Sequence, residues 1–316
     1  MSIGKLGLIK CGSNIQQCPT LAEMTADATA TAEQIDEGAT AYVRGQKITG
    51  TRASKIDVAN NKIKFAYSLF GTVPSVFDFS NVEDLSNMFR ECYGISSIPT
   101  TLNFSKIKNG ESAFSGNSML NISLGDLLLT NATNLNNFFY YSAIKSINSI
   151  AAPNVTTANL LFSNCDKLQS VGDLELLSVE SSKQFFNCCV KLQSVGNINM
   201  PLLNDALGFF YECSSLSSIA GFNFTSLINS DFMFYKCSSL VHFRNTTIIS
   251  CSLSFADSPL LDSGDVEYYV LGELADLTGE TSQTITFNTA LQGAISESAI
   301  QAATDKNWIV NFADNM

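Results

Sequence analysis

Residues 232–240 read FMFYKCSSL and residues 208–216 read GFFYECSSL. In each, a Cys follows a Phe by three positions, Cys237 after Phe234 and Cys213 after Phe210. A recurring Phe-x-x-Cys fits a metal site, a disulfide set or a nucleophile, and it equally fits a core that uses the thiol as filling. The wider spacing decides how to read it. Phe89, Phe114, Phe138, Phe162, Phe186, Phe210 and Phe234 lie 25, 24, 24, 24, 24 and 24 residues apart. With only 22 Phe among 316 residues, such a column marks an internal repeat. It extends outward to Phe70 and Phe255, at intervals of 19 and 21.

Further columns keep the same register. Six residues after each Phe come Ile95, Leu120, Ile144, Leu168, Leu192, Leu216 and Leu240. Nine after come Ile98, Ile147, Val171, Val195, Ile219 and Phe243, with Ser123 as the exception. Seven before come Val82, Ile107, Val155, Val179, Leu203 and Leu227, with Asn131 breaking the series. A period of 24 lies in the leucine-rich-repeat range, where each unit gives one strand and a short return segment. LQSVGD (Leu168–Asp173) reads as the strand and TTANLLFSN as the return arm. The expected fold is therefore α/β, a leucine-rich-repeat solenoid of about nine coils of 19–25 residues over 56–262. A helix/hairpin module precedes it at 1–55 and an α/β cap closes it at 263–316.

Written out as FSNCDKLQSV, FNCCVKLQSV and FYECSSLSSI, the repeat resembles the BspA-like leucine-rich repeats of bacterial surface, protist and phage proteins. The resemblance covers roughly residues 65–262, and LTGETSQTITFN…AIQAATDKNWIVNFA is similar to the closing segment found after such repeats. Residues 26–51, ADATATAEQIDEGATAYVRGQKITGT, resemble a short module of bacteriophage tail, fibre and baseplate proteins. TAEQIDEG reads as a capped helix stopped by Gly38, and AYVRGQKITGT as a hairpin turning at Gly45–Gln46.

The net charge of −11 and a pI near 4.5 exclude non-specific nucleic-acid binding, which needs clustered Lys and Arg. No apolar run reaches the length of about 18 residues that spans a bilayer. MSIGKLGLIKCGSN breaks its apolar character early, so no signal peptide is expected. Nine cysteines, an odd number spread over a long chain, favour a reducing compartment.

The position three after each Phe holds Cys92, Asn117, Tyr141, Cys165, Cys189, Cys213 and Cys237. The leading reading is an inward column that satisfies a backbone group at a tight turn. Four converging metal ligands are not expected in a chain with one His, although a Cys11–Cys18 bridge stays open. Cys188 is expected to face away from the column. His242 has no nucleophile motif around it, and Asp262, Asp265 and Glu267 read as the start of a helix, DVEYYVLGELADL. No catalytic residue, metal or cofactor is expected.

Function then falls to the surface. The binding candidates are Gln169, Ser170, Gln193, Ser194, Ser217, Ser218, His242 and Arg244 on the strand side, with Tyr140 and Tyr141 beside the Phe column. The resemblances imply a bacteriophage virion protein of tail fibre or baseplate, assembled in the host cytoplasm. Its N-terminal module would contact other virion proteins and its repeats a host-surface glycan or protein. Scaffold or decoration of tail or capsid, and a bacterial surface adhesin, are the alternatives, and a homo-oligomer is compatible with all three.

Overall fold

The computed structural model describes residues 77–314, with 56–60, 63, 65–67 and 73, and, as strands only, 9–11, 14–16, 40–43 and 46–49. Two antiparallel pairs lie in the N-terminal part, β1 (Ile9–Cys11) with β2 (Asn14–Gln16) and β3 (Thr40–Val43) with β4 (Gln46–Thr49). Val43 pairs with Gln46, so the two expected hairpin strands are paired and Gln46 belongs to a strand, not to the turn. The TAEQIDEG helix, Phe70 and Cys18 lie outside the described residues.

From β5 (Ile56–Asp57) and β6 (Phe77–Asp78) onward, every sheet is parallel. Six strands follow in chain order: β7 (Ser123–Leu128), β8 (Ser146–Ala151), β9 (Ser170–Glu175), β10 (Ser194–Asn199), β11 (Ser218–Asn223) and β12 (His242–Asn245). Each pairs only with its neighbours in sequence, so each repeat lays one strand on the last. The expected LQSVGD strand starts two residues too early, because the strand is Ser170–Glu175. Val171 and Leu174 point inward from it and carry it past the glycine into LE.

The rest of each repeat is a chain of turns, with one short 3₁₀ helix at Phe104–Lys106. In every full repeat the residues two before and two after the central Phe have a left-handed backbone, such as Gln184 (φ 53) and Cys188 (φ 58) around Phe186. Bulky residues rarely adopt this conformation. Here their N–H groups are claimed by the next repeat, Gln184 by the Leu207 carbonyl (2.8 Å) and Cys188 by that of Tyr211 (2.8 Å). These bonds hold the strained conformation in place. Isolated parallel bridges from Asp84 through Asn109, Asn134, Thr157, Ser181 and Asp205 to Asn229 tie the same arm together.

The left-handed pairs correct the Phe register. Around residues 137–141 they are Asn137 and Tyr141, which centre on Phe139 and not on Phe138. The rings agree. Phe139 stacks on Phe114 (5.7 Å, 20°) and Phe162 (5.7 Å, 9°), whereas Phe138 stands edge-on to Phe114 at 67°. Adjacent Phe residues cannot be told apart by spacing alone. With Phe139 in the column, Ala132 fills the position that Asn131 had broken, and it is fully buried. The other exception is a one-residue offset between Phe114 and its strand, since Leu124, not Ser123, pairs with Ile147.

At the N-terminal end the column continues through Phe65, which stacks on Phe89 (5.6 Å, 11°), so Phe65 takes the place expected of Phe70. At the other end Phe234, Phe255 and Phe287 extend it at 4.8 Å and 6.0 Å. Ten rings thus form one offset-parallel stack, a favourable aromatic geometry, through a continuous buried core.

The chain closes with β13 (Leu253–Phe255), β14 (Gln283–Phe287) and β15 (Trp308–Phe312), a third parallel sheet. A helix at Glu297–Asp305, capped by Ser296, packs beside it. The expected helix DVEYYVLGELADL is shorter: Asp262 caps Ser263–Asp265, which runs into a π-helical segment, Val266–Leu271. Among the described residues no helix is long and apolar enough to cross a membrane.

Candidate functional site

The cysteine column is structural. Cys92, Cys165, Cys189, Cys213 and Cys237 are fully buried free thiols. Each Sγ donates to the carbonyl of the column Phe one repeat back: Phe65 (2.8 Å), Phe139 (3.0 Å), Phe162 (3.0 Å), Phe186 (3.1 Å) and Phe210 (3.2 Å). Burial pushes the thiols of Cys165, Cys189, Cys213 and Cys237 far above the ordinary value, so they stay neutral, and a neutral thiol is neither nucleophile nor metal ligand. The shift to Phe139 puts Ser142, not Tyr141, in this column. Where Cys is replaced, satisfaction is incomplete: Asn117 Nδ2 and Ser142 Oγ are buried without a partner. A thiol tolerates the site because it asks little of its surroundings.

Cys188 is half-buried and faces out of the column, its Sγ 3.7 Å from Glu212 Oε2. Burial and then the Glu212 charge raise its pKa. The Cys11–Cys18 pairing lies outside the described residues. Among the described residues no group of three His, Cys, Asp or Glu is placed to hold a metal ion.

The strand-side candidates are brought together. Ser146, Ser170, Ser194, Ser218 and His242 form one row across five strands. Just before it, the N–H of Gln193 bonds the Gln169 carbonyl (2.8 Å), that of Ser217 the Gln193 carbonyl (2.8 Å), and that of Val241 the Ser217 carbonyl (2.9 Å). Tyr140 and Tyr141 are not part of this surface. They lie on the arm of turns as an edge-on ring pair at 4.6 Å.

Placing the strands two residues early hid a second polar row. Ser149 Oγ donates to Asp126 (2.7 Å), and the Asn197 backbone and amide both donate to Asp173 Oδ1 (2.7 and 3.1 Å). Beyond it, Asn223 donates to Asn199 (3.0 Å) and Asn199 to Glu175 (2.8 Å). The signal was present in the sequence as GD, GN and AG following the inward Val171, Val195 and Ile219. Gly172 and Gly196 open this face because there is no room for more: a Cβ on Gly172 would meet the Asn148 carbonyl oxygen at 1.7 Å.

At the end of the sheet, His242 Nδ1 lies 2.7 Å from Asp265 Oδ2, and Arg244 Nε 3.8 Å from the same oxygen. The Arg244 guanidinium also sits 5.7 Å from the Tyr269 ring centroid, at cation–π distance. Both side chains therefore dock the helical segment on the last strand as well as edging the polar rows.

The profile of a family described as "Mycoplasma protein of unknown function, DUF285" matches residues 58–172 and 142–246, together more than half of the chain. The chain belongs to the DUF285 family. The overlapping matches follow from the repeat, since any window of a few repeats fits the same pattern. No curated protein and no solved structure matches the chain.

Proposed function

We propose that the DUF285 repeats of this chain form a leucine-rich-repeat solenoid of the BspA-like kind and serve as a binding surface, not a catalyst. The single observation that carries this reading is the pair of polar rows across the sheet, Ser146–Ser170–Ser194–Ser218–His242 and Asp126–Ser149–Asp173–Asn197. Short side chains at strand spacing give a flat, hydrogen-bonding face suited to an extended partner. The column thiols and column Phe rings, by contrast, are consumed by the core. Purified protein should adsorb to the host-cell surface. Replacing Ser170, Asp173, Ser194 and Asn197 together by Ala should abolish adsorption with melting little changed. Undiminished adsorption by that variant would remove the strand face from the reading.

The biological setting we propose is a bacteriophage virion, in tail fibre or baseplate. It is supported by the resemblance of residues 26–51 to a phage tail module, and the host receptor would be a surface glycan or protein. Immunogold labelling of particles tests it. A second reading is a bacterial cell-surface adhesin, favoured by the family's description as a Mycoplasma protein. Labelling of intact cells instead of particles would select it.

A further inference from the structure

The turn arm carries a feature that neither the strand face nor the core uses. Phe232 occupies the left-handed position two before Phe234 (φ 55) and its ring is 63% exposed. The equivalent residue one repeat earlier is Gly208 (φ 60), the residue best suited to that backbone. A large apolar side chain left in water at a strained position is an outlier on both counts. It also stands where the repeat changes character. In its own repeat this stretch of the arm is made of turns, and the corresponding stretch of the next repeat is β13.

The step between the two leaves a cleft of about 300 Å³, lined by Asp231, Phe232, Phe234, Tyr235, Ser254 and Asp257. That is the lower end of the range of small-ligand pockets. Phe232 and Tyr235 meet edge to face (6.2 Å, 88°), and Tyr211 stacks behind Tyr235 (4.8 Å, 27°). The wall is thereby an aromatic ledge three rings deep. Asp257 is fixed in position because its Oδ2 accepts the Lys236 N–H (2.8 Å), ending the backbone ladder of the arm. Asp231 and Ser254 add a carboxylate and a hydroxyl to the lining.

We infer that this cleft binds a saccharide ring, stacked by its C–H face on Phe232 with its hydroxyls donating to Asp231 and Asp257. A ring against a ledge, with carboxylate acceptors at its rim, suits a flat ligand that is apolar on its face and rich in hydroxyl donors at its edge. A cationic ligand is the competing class, since the ammonium nearby is engaged elsewhere. The Lys236 ammonium lies 5.1 Å from the Tyr235 centroid and pairs with Glu212 at 2.7 Å. That cation is already paired and does not line the cleft, so it does not offset the charge of Asp231 and Asp257. A saccharide meets them with hydroxyl donors while its flat C–H face covers the exposed Phe232 ring, and the cation control separates the two ligand classes. An anionic ligand meets two carboxylates and is excluded.

The inference deepens the surface-binding reading, on which its purpose rests, by adding a glycan contact on the turn arm to the strand face. The test uses the full chain and saturation-transfer NMR with the methyl glycosides of glucose, galactose, mannose and N-acetylglucosamine, with tetramethylammonium as a cation control. At least one glycoside is expected to bind. Phe232→Gly should lower its affinity about tenfold or more, the loss of one stacked ring at about 1.4 kcal/mol per factor of ten. Its melting temperature should be equal or higher, since glycine relieves the left-handed strain. Asp231→Asn should weaken the same ligand without changing stability. Binding of a glycoside that Phe232→Gly leaves intact overturns the site. Binding of tetramethylammonium and of no glycoside overturns the ligand class. Cell adsorption that survives either result keeps the surface-binding reading, and loss of adsorption only in the strand-face variant assigns recognition to that face.

Discussion

Cys189 Sγ lies 3.0 Å from the carbonyl oxygen of Phe162, one repeat earlier, and donates its proton to it. The next residue back, Cys188, turns the other way and is half-buried at the surface. Brief alkylation of the native protein should therefore modify Cys188 and spare Cys165, Cys189, Cys213 and Cys237. In denaturant all of them should react. Peptide mass mapping reads the difference, and rapid native labelling of Cys189 would refute the buried column.

Removing one thiol from the stack costs its bond and its volume. Cys189→Ala should destabilise by about 1–3 kcal/mol. The Phe162 carbonyl keeps its bond from the Cys165 N–H (3.0 Å), so the acceptor is not orphaned and the loss should stay in that range. Urea denaturation measures it.

Ser142 sits in the same column with its hydroxyl buried and unpartnered. Ser142→Cys restores the residue used at five of the neighbouring positions and replaces a costly buried hydroxyl by a sulfur. An increase of about 1 kcal/mol in unfolding free energy is expected. A decrease would show that the hydroxyl is satisfied in solution.

Gly125 and Gly172 belong to the same cross-strand row, through Asn148, yet their surroundings differ. A Cβ on Gly125 meets nothing within 4 Å, and one on Gly172 runs into backbone. Gly172→Ala should cost at least about 2 kcal/mol, because the backbone must move. Gly125→Ala should be within about 0.5 kcal/mol of the parent. Thermal melts of the two variants give the comparison.

Buried thiols make the fold sensitive to alkali. Burial pushes the Cys251 thiol up from 9.0 to about 11, and the column thiols rise as well. Below pH 9 both folded and unfolded chains keep these protons, so stability does not depend on them. Above it the unfolded chain releases protons that the folded chain retains, and stability falls as pH rises. For Cys251 the fall is complete near pH 11 and amounts to about 2–3 kcal/mol. For the column thiols it continues higher. Urea midpoints should be flat from pH 7 to 8.5 and drop steeply beyond 9.5. Ser replacements at these positions should flatten the curve.

The repeat itself was legible in the sequence. Its period, its inward aliphatic columns and the inert role of the cysteines all follow from the recurrence of Phe-x-x-Cys-x-x-Leu, because a stacked core demands the same residue at the same depth in every repeat. What spacing could not give was the choice between Phe138 and Phe139, the two-residue offset of the strands, or Phe65 in place of Phe70. Repeats of 23 and 25 residues absorb such shifts locally, and only the left-handed turns on either side of each ring fix which Phe enters the stack. The polar row through Asp173 and Asn197 was missed for the same reason, since outward faces follow strand register. The cleft at Phe232 was beyond reach of the sequence altogether. In the sequence Phe232 is one more aromatic beside the Phe column, and only the structure shows that it is exposed in a cleft with Asp231 and Asp257.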